Sequence, residues 1–384
     1  MRILVAAGGT GGHVTPALAV VAELKRIVSE LDVRFVCGSR RAELAALRGL
    51  DPLALPMRAS RGVGRLLGFA RAAGSSALFR AVARARAVLT TGGYTAVPAA
   101  ALAVLMRRPL IVIEVNAYPG RFCRVFGRLA RVVLGGWDTL EKHLQKTCSL
   151  RIVGVPVRAD LRRLDKKEAR AALGVPREAR TLLLLGGSQG AAALNLFIAE
   201  NIARLAGSLR GGLGSKPLHL LGLTGGKHEA ELEAACRAAG VGATLLHRSD
   251  DVGLFYSAAD VAVSRAGAST CAELLHYGLP ALLVPLPGAA DDHQSHNARA
   301  TVAVGGGVWL PQRRLRKEGV EVLRRLILRS PGGFGRKSGS ALKAALVVAE
   351  ILNGSGVGGR PYDQVGEVLA HRRAGRPLLG RRAS

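Results

Sequence analysis

Arg2-Ile3-Leu4-Val5-Ala6-Ala7-Gly8-Gly9-Thr10-Gly11-Gly12-His13 opens the chain, and the apolar stretch Pro16-Ala17-Leu18-Ala19-Val20-Val21 follows it closely. The order reads as strand, glycine turn, helix. Thr15 is the expected N-cap and Pro16 the first helical residue, where a missing N–H costs nothing. Four glycines let the backbone turn tightly and aim N–H groups at an anion, and the positive end of the helix dipole points the same way. Phosphate or diphosphate is the ligand chemistry this turn suits. A dinucleotide fingerprint would place a third glycine where Gly9-x-Gly11-x-x-Val14 has Val14, so the register argues against a dehydrogenase. His13 puts an imidazole in the turn, as a helix-start hydrogen-bonder or as a base.

The same pattern begins again 178 residues later, with the apolar run Thr181-Leu182-Leu183-Leu184-Leu185, the turn Gly186-Gly187-Ser188-Gln189-Gly190 and the helix-like Ala191 to Ala199. Strands alternate with helices throughout, which predicts an α/β chain of parallel sheets. With 384 residues there is room for two domains, each burying its own core. Gly154-Val155-Pro156-Val157-Arg158 marks the division. This gives an N-terminal domain over 1–157, a C-terminal domain over 158–353 that includes a last helix from Ser340, and a glycine- and arginine-rich tail over 354–384 that is expected to be disordered.

Composition narrows the partners. Lys and Arg number 55 against 27 acids, a net charge of +28. Residues 1–157 hold 23 of the basic side chains and 8 of the acids, and between Asp51 and Asp138 the only acid is Glu114. An anionic partner is implied. Nucleic acid is not expected, because aromatics are 4% and form no stacking platform. Residues 58–86 carry seven arginines, no acid, and Leu66, Leu67, Phe69, Leu78, Phe79 and Val82, a composition that suits an anionic bilayer surface or a sheet-packed helix with a basic face. The longest uncharged apolar run, Ala96 to Met106, is too short for a bilayer span, and no signal peptide is visible, so the cytoplasm is the expected compartment. Cys37, Cys123, Cys148, Cys236 and Cys271 are scattered and read as free thiols.

Further polar groups gather after apolar runs, where open α/β sheets bind ligands. Thr91-Gly92-Gly93-Tyr94 is a second glycine turn, and Glu114-Val115-Asn116 closes the strand-like Leu110 to Ile113. Ala266-Gly267-Ala268-Ser269-Thr270-Cys271-Ala272-Glu273, after Arg265, pairs Thr270 with Glu273 in a capping-box pattern, which by itself means a stable helix start; the same geometry leaves the remaining amides aimed at a diphosphate, and Glu273 could instead reach ribose hydroxyls. Gly288 to Ala298 is a polar loop opening a helix; His293 and His296 lack a third clustered ligand, so neither a metal nor any other cofactor is expected.

In order and spacing these stretches resemble the motifs of the bacterial MurG family, from residue 1 to about 310. The resemblance implies a GT-B glycosyltransferase: two Rossmann-like domains facing across a cleft, at the cytoplasmic face of the bacterial cell membrane as a peripheral protein. It implies UDP-GlcNAc as donor and undecaprenyl-diphosphate-MurNAc-pentapeptide (lipid I) as acceptor, with inverting transfer to give lipid II. Carried over by motif, Arg158, Ser188, Ser249 and Ala268, Ser269, Thr270, Cys271, Ala272 and Glu273 hold uridine, diphosphate and ribose. Gln294 and Asn116 contact the GlcNAc; Thr10, Gly11 and Gly12 lie beside sugar and diphosphates; Gly92, Gly93 and Tyr94 meet the acceptor; His13 is the position of the general base, with Glu114 as the other catalytic candidate. Ile113, Val115, Val155 and Ser249 depart from the residues frequent in the family. The competing readings are a diacylglycerol glycosyltransferase, a UDP-GlcNAc 2-epimerase and a basic nucleic-acid binder.

Overall fold

A computed structural model describes residues 1–8, 11–57, 68–69, 71–72, 74–144, 146–158, 160–186, 191–209, 216–329 and 339–354. The chain divides into two compact units. In the first, β1 (Arg2–Ala6), β2 (Asp32–Gly38), β3 (Leu53–Leu55), β4 (Ala87–Thr90), β5 (Leu110–Glu114), β6 (Val132–Gly135) and β7 (Leu150–Ile152) form a parallel sheet in the order β3-β2-β1-β4-β5-β6-β7. The second holds β8 (Arg180–Leu185), β9 (Leu218–Leu223), β10 (Gly242–Leu246), β11 (Val261–Ser264), β12 (Ala281–Leu283) and β13 (Gly307–Trp309), in the order β10-β9-β8-β11-β12-β13. Each unit's first strand is central, two strands extend to one side, and the fourth returns to the other. The reversal leaves a crevice at the carboxyl ends of β1 and β4, and of β8 and β11, which is where such sheets take ligands.

The strands are apolar runs because both faces are covered. Leu182, Leu184, Leu220, Val263 and Leu282 pack with Phe197, Ile198 and Leu323 in the second unit, and Leu4, Val36, Val88, Val112 and Val133 form the matching core in the first. Leu78 and Val82, on the helix Ser76–Arg84, are fully buried in that first core, each worth about 2 kcal/mol. They therefore face the sheet rather than a bilayer, while Phe79 stands 51% exposed beside Arg80. Leu66, Leu67 and the tail from residue 355 lie outside the described residues.

Two helix starts differ from the sequence reading. The first helix runs Gly11–Ile27 and takes Pro16 as its sixth residue, so Thr15 is not its N-cap. Gly11 and Gly12 lie in the first helical turn, and Pro16 forgoes the hydrogen bond that an N–H at position 16 would make to the Gly12 carbonyl. The helix Ala268–Tyr277 begins with Gly267 in the cap position, φ −66° and ψ 144°, and without a side-chain cap, so Thr270 and Glu273 do not form a capping box. Both are already inside the helix. Neither β3 nor the helix Gln312–Leu328 was expected from the sequence; the first is three residues between prolines, and the second is dense in charge.

The last helix, Ser340–Leu352, joins the first unit rather than the C-terminal domain. It packs against Gly11–Ile27, Ser340 Oγ donates to Val155 O at 2.6 Å, and Leu342, Val348 and Leu352 are buried. An apolar face needs a partner, and the described residues supply it there. Val348→Asp places an unpaired carboxylate at this fully buried position and is expected to cost about 3 kcal/mol or more. Hydrogen exchange is the measure: protection of Gly11–Ile27 falls, while that of Ala192–Leu209 is retained.

Candidate active site

At the crest of the first sheet the ends of β1 and β4 come within contact. Gly93 has φ +85°, and a Cβ there would lie 2.8 Å from the Gly8 carbonyl oxygen and 3.9 Å from His13 Cδ2. Only glycine permits both the left-handed backbone and the approach. His13 is half-buried in the first turn of its helix, with Nδ1 2.9 Å from the Thr91 carbonyl oxygen. A carbonyl only accepts, so Nδ1 carries the proton and the neutral ring has its lone pair on Nε2. The bond sets the tautomer a general base needs. Gly11 and Gly12 precede His13 in the same turn and bring first-turn N–H groups to this end of the helix. Thr10 lies outside the described residues.

Two buried carboxylates hold the neighbouring loops. Glu114, 7% exposed, accepts at Oε1 from Asn116 N at 3.0 Å and Asn116 Nδ2 at 3.1 Å, and at Oε2 from Gly120 N at 2.9 Å. It organises the loop that carries Asn116, and the Asn116 side chain is turned by it. Cys123 also donates to Glu114, and its thiol is pushed far up by burial first and by that carboxylate second. Glu43, 1% exposed, accepts from Gly38 N at 2.6 Å and from the Tyr94 hydroxyl at 3.4 Å. Burial, then Glu43, raises the Tyr94 phenol above its ordinary range. Sequence reasoning missed Glu43, because an acid after Arg40 and Arg41 reads as a solvated helix face.

In the second unit, the first N–H groups of Ala268–Tyr277 come from Ala268, Ser269 and Thr270, and Ser269 Oγ is buried without a partner among the described residues. That end of the helix offers donors to an anion. Cys271 contributes differently: its side chain is fully buried, its thiol pushed up to about 12 by burial, and its N–H donates to Gly267 O at 2.9 Å. Ala272 is 6% exposed and also faces the interior. Glu273, one turn in, accepts from the Tyr256 hydroxyl at 2.7 Å. Arg265 Nη1 donates to Val284 O and Pro285 O, both at 3.2 Å, and Asn297 Nδ2 to Ala266 O at 3.2 Å, which fix the loop before the helix. Gln294 Oε1 accepts from Leu286 N at 2.9 Å, so its amide is oriented with Nε2 as the remaining donor group. Arg158 and Ser249 are half-buried in loops after β7 and β10, and Ser188 lies outside the described residues. Among the described residues no group of three His, Cys, Asp or Glu side chains could hold a metal ion.

Comparison with known proteins places this arrangement. The glycosyltransferase family 28 N-terminal domain matches residues 3–134, and the family 28 C-terminal domain matches 181–350. The crystal structure of Acinetobacter baumannii MurG superposes with a TM-score of 0.68 at 23% identity, over 91% of this chain and 99% of that one. A protein of Alkalilimnicola ehrlichii named UDP-N-acetylglucosamine–N-acetylmuramyl-(pentapeptide) pyrophosphoryl-undecaprenol N-acetylglucosamine transferase is 39% identical, over 91% of this chain and 99% of its own length. The chain belongs to the MurG family. A relative of the same name from Salinibacter ruber is 35% identical over 81% of this chain and 84% of its own.

The architecture is therefore GT-B, a two-domain α/β fold, and the MurG family is one user of it. The UDP-GlcNAc 2-epimerase from Neisseria meningitidis, bound to UDP-GlcNAc, shares it with a TM-score of 0.58 at 13% identity, over 92% of this chain and all of that one. At that identity the likeness speaks for the fold alone. In this MurG-family chain the Glu114 loop has its own optical reporter, since the buried Trp137 donates from Nε1 to Val115 O at 3.0 Å. Glu114→Ala removes the acceptor of three loop hydrogen bonds and is expected to lower stability by about 1–3 kcal/mol. With Trp309→Phe as background, Trp137 emission shifts to the red.

Proposed function

We propose that the protein transfers GlcNAc from UDP-GlcNAc, with inversion, to the 4-hydroxyl of the MurNAc-pentapeptide of undecaprenyl-diphosphate lipid I, and so makes lipid II. Membership of the family and the shared name of its relatives support the reading. The observation that carries the chemistry is the hydrogen bond from His13 Nδ1 to Thr91 O. With the proton fixed on Nδ1, Nε2 accepts the proton of the acceptor hydroxyl as its oxygen attacks the anomeric carbon. The C–O bond to the diphosphate breaks, and UDP leaves with the bonding pair. The charge growing on that leaving group needs preorganised donors, which the helix start at Ala268, Ser269 and Thr270, the Ser269 hydroxyl and Arg158 supply. Glu273 accepts from ribose hydroxyls, Ser249 lies along the base, and Gln294 and Asn116 contact the sugar.

The acceptor's diphosphate is taken by Gly11, Gly12 and the Gly92-Gly93-Tyr94 turn, at a positive helix end. The lipid tail keeps the enzyme at the cytoplasmic face of the membrane as a peripheral protein. Exposed Phe79, Leu105, Val125 and Leu129 on the first unit, together with its arginine excess, support this reading. Among the described residues no helix is long and apolar enough to cross a membrane. Ser at Phe79, Leu105, Val125 and Leu129 together is expected to reduce co-sedimentation with anionic vesicles, with transfer to a soluble short-chain acceptor retained.

The deciding assay follows label from UDP-GlcNAc into short-chain lipid I. His13→Ala should lower kcat by about 10² to 10⁴-fold and leave the donor KM nearly unchanged, since the imidazole acts in the transition state. Near-normal turnover by this variant removes His13 from the role. Epimerisation of the donor without any acceptor would replace the transferase reading altogether.

A further inference from the structure

Tyr256 lies in the interior of the second unit at 3% exposure, yet its hydroxyl reaches Glu273 Oε2 at 2.7 Å. Its ring is fixed by stacking on Tyr277, with centroids 4.9 Å apart and planes at 21°. The two hydroxyls of this stack have different partners: that of Tyr277 donates to Arg162 O at 2.9 Å. Burial, and after it Glu273, holds the Tyr256 phenol well above its ordinary range, so it stays a donor. Tyr256 sits on the helix Val252–Ala258 and Glu273 on Ala268–Tyr277, and β11 runs between them in sequence. Nothing in the sequence pattern joins the two residues.

Helical side chains lean toward the N-terminus, so the carboxylate of Glu273 is carried back over the first turn of its helix. There it can accept from hydroxyls next to a bound diphosphate. A free glutamate would pay rotamer entropy to do so, whereas one tied at Oε2 keeps its orientation. A site built to accept from a hydroxyl also rejects the analogue that lacks it, because a desolvated oxygen is then left unpaired.

We propose that Tyr256 is a positioning residue that fixes the Glu273 carboxylate for the ribose hydroxyls of the sugar-nucleotide donor, and thereby sets the preference for ribose over deoxyribose. The inference rests on reading Glu273 as the ribose acceptor.

The test compares Tyr256→Phe, Tyr277→Phe and Glu273→Gln with the parent enzyme, in steady-state transfer and in titration with UDP and 2′-deoxy-UDP. Tyr256→Phe is expected to raise the donor KM about tenfold with kcat within about twofold, and to shrink the preference for UDP by about tenfold. Tyr277→Phe, which loses the other hydroxyl of the stack, leaves both quantities unchanged. If Glu273→Gln abolishes the ribose preference while Tyr256→Phe keeps it, the positioning inference is overturned and the ribose reading stands. If Glu273→Gln binds UDP and its deoxy analogue as the parent does, the ribose reading fails, and the inference with it. Equal weakening of Tyr256→Phe toward both nucleotides, with a lowered Tm, would mark a merely structural tyrosine and overturn the proposal.

Discussion

The hydrogen bond between His13 Nδ1 and the Thr91 carbonyl is the constraint that ties together the polar groups at the crest of the first sheet. It joins the loops after β1 and β4, the two strands between which the sheet order reverses. Those loops can be joined because Gly93 lets the Gly8 carbonyl approach to a distance no side chain would allow. The imidazole is thereby placed at a helix N-terminus, and in the neutral ring the carbonyl fixes the proton on Nδ1. Position and tautomer follow from one contact.

The second unit solves a related problem with other residues. Its helix Ala268–Tyr277 has Gly267 in the cap position and no side-chain cap, which leaves only about 0.3 kcal/mol of stabilisation unused relative to a Ser or Asp there. The loop before it is nonetheless firmly held, by Arg265 to the end of β12 and by the fully buried Asn297 to Ala266. Long-range side-chain bonds to backbone carbonyls fix the loop, and they leave the first-turn amides uncapped by any side chain. Glu43 and Glu114 act in the same way in the first unit. The recurring device is a loop anchored from behind.

Much of the architecture was legible because parallel strands covered on both faces appear as bare apolar runs, and Arg2–Ala6 and Arg180–Leu185 do so at equivalent places. The glycine turns were legible for a similar reason, since few residues serve there. Helix starts were misread where a residue with strong local preference is absorbed into a longer helix. Pro16 and Thr270 suit a start, yet the first helix begins earlier, at Gly11, and the second at Ala268. Glu43 was hidden for a different reason, since an acid beside two arginines reads as solvated. Glu114 and Glu273 stood out in the sequence, but the bonds they make did not, and that of Tyr256 to Glu273 depends on tertiary placement. The packing of Ser340–Leu352 on Gly11–Ile27 is likewise a contact across most of the chain, which an amphipathic pattern announces only as a need for some partner.

The position of Glu273 carries one more physical demand. A carboxylate about 4 Å from a phosphate oxygen at an effective dielectric near 20 is repelled by about 4 kcal/mol, and at about 8 Å by half of that. A freely moving glutamate next to helix amides that attract a diphosphate would therefore oppose the binding those amides favour. On the proposed reading, the bond to the buried phenol holds this acid in one orientation, so that the same short stretch would attract phosphate at its start and accept from sugar hydroxyls. Attraction and repulsion would then be separated by geometry.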